Sequence, residues 1–344
     1  MRTIFSDDHK LQDGKAELID GKLLPCFEMP RRAELVRARV LEVGLGPIEP
    51  PVAHGLEPIG KIHTEPFLRF LETAWDDWVA AHGAYDALPL VWSVRTFRTD
   101  VVPEAIDGRL SLYALDAGTP ITAGTWRAAR AAADVALTGA DAIARGQERA
   151  IFALCRPPGH HAASDLYGGY CFLNNAAIAA QALLDQGAKR VAILDVDYHH
   201  GNGTQAIFYQ RSDVLFVSIH GDPRQEYPYF LGHADEWGEG PGLGFNVNYP
   251  LRWGSGWDVW GAALEDGCRR IEQARCDALV VSLGVDTYKD DPISKFTLDS
   301  PDFTAMGQRI ARLGLPSLFV MEGGYAVEQI GINAVNVLTG FEQG

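Results

Sequence analysis

Acidic and imidazole side chains crowd the end of one apolar segment of this sequence. The segment RVAILDVDYHHGNG places Asp195, Asp197, His199 and His200 directly after its apolar run. Asp197 and His199 are two residues apart, so in an extended chain both side chains point to the same face. A carboxylate and an imidazole on one face supply two of the three protein ligands of a catalytic metal site. Taken alone, this triplet is equally typical of a solvated turn.

A second apolar segment ends in the same way and supplies a third ligand. In ALVVSLGVDT the apolar run is followed by Asp286. Asp197, His199 and Asp286 together would leave one position open for water, as a catalytic zinc site requires. Because two of the three ligands are carboxylates, Fe²⁺, Co²⁺ or Mn²⁺ also suit the set. The sequence therefore predicts one divalent metal ion per chain, with Zn²⁺ preferred.

Two adjacent histidines follow a third apolar segment. AIFALC runs into RPPGHH, in which two prolines and a glycine fix the backbone path just before His160 and His161. Adjacent histidines without partners are usually surface residues. At a ligand-binding edge, however, one imidazole can take a proton from water and return it to a leaving amine, and the pKa of histidine suits this work at neutral pH.

A tyrosine follows a fourth apolar segment, SLFVM, after the residues Glu322-Gly323-Gly324. The glycine pair alone is equally typical of a strand-to-helix turn. A phenol delivered to the same edge can instead donate a hydrogen bond to a developing oxyanion, which makes Tyr325 a candidate. Metal ligands, bases and an oxyanion donor at four segment ends predict metal-dependent cleavage of an N-acyl group from an amine.

The elements that carry these residues alternate between two patterns. Apolar, β-branched runs predict strands, and Ala-rich stretches of helical period predict helices between them. This alternation predicts an α/β fold with a mainly parallel sheet and helices on both faces, which binds ligands at the carboxyl ends of its strands. Six short runs predict strands, among them Ala150–Leu154, Arg190–Val196, Val214–Ile219, Ala278–Leu283 and Ser317–Met321; the predicted helices include Asn175–Gln186, Trp257–Ala274 and Pro301–Leu313.

One region departs from this alternation. No repeat or linker divides the chain, so a single catalytic domain is expected over residues 1–344, with a long insertion loop at about 84–123. A loop of this length in a compact domain is usually functional or an interface. With Trp75, Trp78 and Trp92 close by, it favours association, and we expect a homodimer.

Composition excludes several classes of protein. The formal net charge of −15 argues against nucleic acid as a partner and is compatible with a small cationic substrate. No apolar run is long enough for a membrane span, and the charged first ten residues lack a secretory h-region, so we expect a cytoplasmic protein without a membrane partner. Five cysteines without a C-x-x-C pair fit neither a disulfide framework nor a thiolate zinc site.

Taken in order, the motifs RPPGHH, GGYCFLNNAAIAA, DVDYHHGNGTQ, VSLGVDTYKDDP and EGGYAV resemble those of the histone deacetylase superfamily of the arginase–deacetylase fold. The resemblance runs from about Lys61 to Gly340. The long loop before GTWRAA is similar to that of the bacterial acetylpolyamine amidohydrolases, a branch of this superfamily. The resemblance implies zinc-dependent hydrolysis of N-acetylated polyamines or diamines, such as acetylputrescine, acetylcadaverine or acetylspermidine, releasing acetate and free amine.

The resemblance also implies a role for each residue of the site. Zinc would be bound by Asp197, His199 and Asp286, while His161 acts as the principal base and Tyr325 polarises the acyl carbonyl. The assisting residues it implies are His160, backed by Asp195, and Asn202 beside His161. The tunnel wall it implies comprises Gly169, Tyr170 and Tyr227, and the acids expected to hold a distal ammonium are Glu104, Asp107 and Asp116. The structural K⁺ site it implies comprises Asp195, Asp197, His199, Ser218 and Ile219.

Two departures from the family pattern concern these residues. Many histone deacetylases have aspartate where Asn202 stands, and an uncharged partner makes His161 easier to deprotonate, which suits a general base. The family has an acidic residue at one position of the insertion, and either Asp116 or Gly118 matches that position. If Gly118 matches it, the acid is missing and shorter acetylated diamines are favoured over long polyamines.

Three other functions are compatible with parts of the pattern. A ureohydrolase needs a second metal and a carboxylate where Gly284 stands, so a binuclear site is not expected. A protein-lysine deacetylase shares every catalytic residue, and only the long insertion argues against it. A non-hydrolytic acylamine-binding protein would lack a base or an oxyanion donor, whereas His160, His161 and Tyr325 are all present.

Overall fold

One eight-stranded sheet organises the chain. The computed structural model describes residues 1–344. The strands are β1 (Arg2–Ile4), β2 (Glu17–Ile19), β3 (Lys22–Leu24), β4 (Ile48–Glu49), β5 (Ala150–Ala153), β6 (Val191–Asp195), β7 (Val214–Gly221), β8 (Asn246–Leu251), β9 (Ala278–Leu283) and β10 (Ser317–Met321). The main sheet has the order β4-β1-β5-β10-β9-β6-β7-β8, and all neighbours in it are parallel. β2 and β3 form a separate antiparallel pair.

Ten α-helices surround or connect these strands. They are α1 (Arg31–Val43), α2 (Glu57–Gly60), α3 (Glu65–His82), α4 (Ile106–Tyr113), α5 (Thr125–Ala144), α6 (Asn175–Asp185), α7 (Asn202–Phe208), α8 (Trp257–Ala274), α9 (Ser300–Ala311) and α10 (Val327–Gln343). Short 3₁₀ helices occur at Asp7–Leu11 and Gly240–Gly242. None of the ten α-helices has the length and apolar character of a membrane span.

Local sequence explains where several helices begin or end. Asn174 caps α6, because its side chain accepts a hydrogen bond of 2.9 Å from the backbone N–H of Ala177. Asp299 and Asp302 form a reciprocal capping box at the start of α9. α1 ends at Val43 and is capped by Gly44, whose φ of 64° lies in the left-handed region that glycine tolerates best.

The central strands are buried on both faces. In β6, Val191 and Ile193 join the hydrophobic cluster beneath α3, α5 and α6, whereas Ala192 and Leu194 join the cluster beneath α1, α8, α9 and α10. Successive side chains of a strand point to opposite faces, so helices cover both faces of the sheet. The predicted α/β class, with a mainly parallel sheet between two helical layers, is confirmed.

The sequence predicted the central elements better than the peripheral ones. β9, β10 and α8 have the predicted bounds, and β5, β6, β7, α6 and α9 differ from prediction by one or two residues at an end. The apolar runs named above do not include β1, β4 or β8. β1 and β4 have only three and two residues, and β8 contains Asn246, Asn248 and Pro250, which interrupt an apolar pattern.

The insertion contains a helix, so the expectation of a loop throughout 84–123 needs correction. α4 buries Ile106 and Leu110, and it packs against α3. Gly108 and Ser111 weaken its helical pattern, which explains why periodicity did not reveal it. Of the tryptophans near this region, Trp78 is buried in the core, where its Nε1 donates a hydrogen bond to the carbonyl of Tyr85 at 2.8 Å. Trp75 and Trp92 are half-buried.

Candidate active site

Four neighbouring strands bring the chemically active loops together. β5, β10, β9 and β6 are adjacent in the sheet, and the predicted residues follow their carboxyl ends. Parallel strands place these ends at one edge, so loops distant in sequence meet there. The structure thus gathers the ligand, base and oxyanion candidates into one buried cluster.

The three candidate metal ligands converge. One ligand atom from each of Asp197, His199 and Asp286 lies within 4.8 Å of the others, and all three residues are buried. His199 Nδ1 lies 3.1 Å from Asp286 Oδ2 and 3.5 Å from Asp197 Oδ1. The remaining carboxylate oxygens accept backbone hydrogen bonds: Gly323 N–H donates to Asp197 Oδ2, and Tyr198 N–H donates to Asp286 Oδ1, each at 2.8 Å.

The charges of this cluster fit a divalent cation. Burial, together with the negative charge of Asp197, raises the pKa of Asp286 to about 7. Burial opposes the charge of His199, but hydrogen bonds to Asp197 and Asp286 outweigh it and raise the pKa of His199 well above its usual value. A bound divalent cation would neutralise both carboxylates and would be coordinated by the imidazole nitrogen. Two carboxylates and one imidazole form a ligand set that zinc and related metals use.

Two glycines leave room for the carboxylates. A Cβ added at Gly284 or at Gly323 would collide with Asp197 Oδ2. Larger residues at these positions would therefore displace a candidate ligand. At Gly284 the chain lacks the additional carboxylate that a second metal would need.

The adjacent histidines have different partners. His160 Nδ1 lies 3.0 Å from Asp195 Oδ2, and His161 Nδ1 lies 2.7 Å from Asn202 Oδ1. Burial opposes the charge of His160, but the carboxylates of Asp197 and Asp195 raise its pKa to about 10. Burial, followed by the charges of His160 and His199, lowers the pKa of His161 well below its usual value. His161 is therefore the neutral imidazole of the pair.

The amide of Asn202 also sets the tautomer of His161. Asn202 Nδ2 donates to the backbone carbonyl of His161 at 3.2 Å, which directs Oδ1 toward the ring. Oδ1 can only accept, so His161 Nδ1 carries the proton and Nε2 keeps its lone pair. A neutral imidazole with a free Nε2 is the form that a general base requires.

The phenol of Tyr325 is buried near these groups. The backbone N–H of Tyr325 donates a hydrogen bond to Asp291 Oδ2 at 2.7 Å. The Tyr325 ring packs edge-on against Tyr170, with 5.4 Å between the ring centroids. Burial raises the pKa of Tyr325 well above its usual value, so the hydroxyl keeps its proton and can donate. Asp291 belongs to the KDDP segment, but sequence reasoning gave it no role.

Sequence reasoning also missed an arginine that supports this loop. The Arg32 guanidinium lies 4.7 Å from the ring centroid of Tyr325. It donates hydrogen bonds of 2.6 Å to the carbonyls of Glu322 and Gly324 and of 2.8 Å to Glu28 Oε1. Nearly 300 residues separate Arg32 from Tyr325 in sequence, and no local pattern links them.

Two of the three predicted wall residues contact His161. The rings of Tyr227 and His161 pack edge-on with centroids 5.1 Å apart. Gly169 has a φ of 54°, and a Cβ there would collide with the His161 ring, so glycine allows the close approach. Tyr170, the third predicted wall residue, contacts Tyr325 instead.

The three acids of the insertion occupy different environments. Asp116 accepts hydrogen bonds from the Tyr227 hydroxyl and from Gly169 N–H at Oδ2, and from Gly118 N–H and the Thr119 hydroxyl at Oδ1. Asp107 Oδ2 lies 2.9 Å from His82 Nε2. Glu104 is exposed. Asp116 is thus built into the wall, whereas Asp107 and Glu104 lie nearer to solvent.

The candidate potassium residues are buried in neighbouring strands. Asp195 in β6 and Ser218 in β7 are register partners, and Ile219 follows Ser218. Burial raises the pKa of Asp195 despite its contact with His160. A second cation beside Asp195 would counter this penalty.

Fold and site together define a known class of protein. The model of the histone deacetylase domain matches residues 26–341. The chain belongs to the histone deacetylase family and is a hydrolase of its amidohydrolase type. This family is metal-dependent, and the ligand cluster provides a candidate site for the metal.

Three relatives within this class are similar to the chain over nearly its whole length. The chain is 63% identical to acetylpolyamine amidohydrolase 2 of Pseudomonas aeruginosa, over 99% of each chain. It is 54% identical to the acetylpolyamine amidohydrolase of Mycoplana ramosa, also over 99% of each chain. Its fold matches the crystal structure of an acetylpolyamine aminohydrolase from Burkholderia pseudomallei with a TM-score of 0.94 and 41% identity, covering 99% of this chain and 98% of that one.

Proposed function

We propose that this enzyme hydrolyses the amide bond of N-acetylated polyamines or diamines and releases acetate and the free amine. The observation that carries the proposal is the 54–63% identity to acetylpolyamine amidohydrolases over 99% of the chain. The convergence of the three candidate metal ligands supports it. Acetylputrescine, acetylcadaverine and acetylspermidine are the substrate types expected.

Asp197, His199 and Asp286 are proposed to hold one Zn²⁺, with Fe²⁺, Co²⁺ or Mn²⁺ as substitutes. A divalent ion there supplies Lewis acidity toward the acyl carbonyl. The convergence of one imidazole and two carboxylates, all buried, supports this assignment.

The protein residues divide the remaining work. His161 Nε2 takes the proton of the attacking water, while Asn202 holds Nδ1–H and keeps the ring oriented. The Tyr325 hydroxyl donates a hydrogen bond to the oxygen that becomes negative as the carbonyl carbon turns tetrahedral. His161 then returns the proton to the amine nitrogen, assisted by His160, whose positive charge Asp195 balances.

Substrate selection is assigned to the wall and the insertion. Gly169, Tyr170 and Tyr227 would enclose the acylated arm of the substrate. Glu104 and Asp107, nearer to solvent, would attract the distal ammonium, whereas Asp116 shapes the wall through Tyr227. The net charge of −15 favours approach of such cations.

A homodimer and a structural K⁺ complete the proposal. Leu90, Phe97 and Val102 in the insertion expose 83%, 58% and 52% of their surface, and an exposed apolar stretch of this kind commonly marks an interface. The K⁺ would lie by the backbone and side chains of Asp195, Asp197, His199, Ser218 and Ile219.

The deciding experiment compares kcat/KM for N-acetylputrescine, N-acetylcadaverine, N-acetylspermine and an acetyl-lysine peptide with the zinc-loaded enzyme at one ionic strength. We expect the small acetylated amines to exceed the peptide by about tenfold or more, or roughly 1.4 kcal/mol of transition-state preference. A preference for the peptide would instead assign the chain to protein-lysine deacetylation. Absence of turnover on all four would contradict the hydrolytic proposal.

A further inference from the structure

We propose that Glu226 is a positioning residue. Through its hydrogen bonds it connects Tyr198, in the proposed metal-binding loop, with Tyr227, in the proposed wall of the site. The inference rests on the ligand set proposed above. Glu226 Oε2 accepts hydrogen bonds from the Tyr198 hydroxyl at 2.7 Å and from Trp253 Nε1 at 3.1 Å. Its Oε1 accepts one from the backbone N–H of Tyr227 at 3.1 Å. One carboxylate therefore links its own segment, which continues into Tyr227, to two other segments at Tyr198 and Trp253.

The first segment is the metal-binding loop itself. Tyr198 lies between the ligands Asp197 and His199, and its backbone N–H donates to the third ligand, Asp286. Its buried ring packs edge-on against His199, with 5.0 Å between centroids, and against Phe296 at 4.6 Å. The hydrogen bond to Glu226 holds the far end of this ring, so it restrains the backbone between two ligands.

The second segment is the wall. Tyr227 packs edge-on against both His161 and His199, with centroid distances of 5.1 and 6.0 Å. Glu226 holds its backbone N–H, and Asp116 holds its hydroxyl at 2.7 Å. Two carboxylates thus hold Tyr227, one at its backbone N–H and the other at the hydroxyl of the ring that contacts the proposed base.

The environment of Glu226 argues against a direct role in binding substrate. Its two oxygens already accept three hydrogen bonds from protein donors. Gly221 packs closely against it: a Cβ there would lie 3.1 Å from both the Glu226 side chain and the Tyr198 ring. These contacts leave Glu226 committed to other residues of the protein.

The main expected consequence of losing these hydrogen bonds is a lower affinity for the metal. Residues that orient metal ligands through hydrogen bonds commonly change metal affinity about 10- to 100-fold when they are replaced. Loss of the Tyr198–Glu226 bond should therefore weaken zinc binding. Loss of Glu226 should also remove the hydrogen bond to the backbone of Tyr227 and therefore raise KM. Loss of the Tyr198 hydroxyl leaves that bond in place, so KM should not change.

The test measures zinc affinity by competition with a chromophoric chelator for the full-length protein and for Tyr198→Phe, Glu226→Ala and their double variant. We expect each single variant to bind zinc about tenfold more weakly, and the double variant to match Glu226→Ala, because both changes remove one shared bond. KM should rise in Glu226→Ala and stay near its original value in Tyr198→Phe. Tyr249→Phe is the matched control, since it removes a tyrosine–carboxylate hydrogen bond to Asp266 outside the site.

Trp253→Phe keeps the inference testable if Tyr198→Phe does not fold. Trp253 is half-exposed, and the variant removes only one donor to Glu226, so zinc affinity should fall in the same direction. Zinc affinities equal to that of the original protein in all variants would overturn the positioning role alone. A protein that binds no divalent metal at all would overturn the ligand set and this inference with it.

Discussion

The strand-end site and the insertion at 84–123 differ in how their side chains are buried and paired. At the strand ends, buried polar groups are paired across strands, as in His160 with Asp195 and His199 with Asp286. The insertion instead exposes apolar side chains such as Leu90 and Phe97. Paired, buried side chains hold the site in place before substrate arrives, whereas an exposed apolar segment is fixed only when a partner covers it. We therefore expect the chemistry to depend on the first region and the selectivity on the second.

The largest effect should come from removing a ligand at the strand ends. Asp286→Ala should abolish stoichiometric zinc binding and activity, because two ligands remain where three are needed. The fold should survive, since burial and the charge of Asp197 already raise the pKa of Asp286 to about 7 and the variant relieves that repulsion. Metal content and thermal unfolding measure both outcomes. Asp290→Ala, at an exposed acid four residues along, is the control, and stoichiometric zinc in Asp286→Ala would refute the ligand assignment.

A smaller effect is expected when an oxyanion donor is removed and the metal is kept. Tyr325→Phe should lower kcat by about 10²–10³-fold with little change in zinc content. The ring and its contacts with Arg32 and Tyr170 remain, so stability should change little. Steady-state kinetics with N-acetylcadaverine measure this, and an unchanged kcat would remove Tyr325 from the mechanism.

The strand-end region was also the more predictable from sequence. Apolar runs followed by Asp, His or Tyr identify parallel strands that end in a site, and the structure brings these residues together as expected. The supporting residues Arg32, Asp291 and Glu226 were missed because they act across long sequence separations. Hydrogen bonds of that kind depend on the final packing of loops, which periodicity does not encode.

The amide beside His161 gives a prediction that depends on pH. In Asn202→Asp a carboxylate would lie beside the imidazole and favour its protonated form, so the pKa of His161 should rise from its low value. Only the neutral ring can take a proton from water. The acidic limb of kcat/KM should therefore move up by about 1 to 3 pH units, and activity below that limb should fall.

A pH–rate profile with a single acetylated diamine measures the shift. Activity well above the new limb should approach that of the original enzyme, which separates a titration effect from misfolding. A profile with an unmoved acidic limb would mean that a group other than His161 is the base.

The sequence predicts that residues 84–123 form an insertion, but it does not predict the helix within them. Its lack of periodicity indicated a departure from the α/β pattern, yet α4 forms there because Ile106 and Leu110 are buried in the core beside α3. Likewise, the sequence offers Glu104, Asp107 and Asp116 as candidate acids, with Gly118 as the alternative to Asp116, and it does not predict their contacts. The structure gives Asp107 a histidine partner and Asp116 four hydrogen-bond donors. Tertiary contacts distinguish residues that composition alone treats as alike.

The smallest effect should come from the exposed face of the insertion. Leu90 exposes 83% of its surface, so Leu90→Ser should leave the stability of one chain nearly unchanged and weaken self-association instead. Leu41→Ser, at an exposed leucine of α1, is the matched control. Sedimentation at several concentrations measures association, and KM for N-acetylspermine measures selectivity. If the dimer orders the insertion around the site, KM should rise as the dimer dissociates while kcat at saturating substrate changes little; a monomeric variant with unchanged KM would separate association from substrate selection.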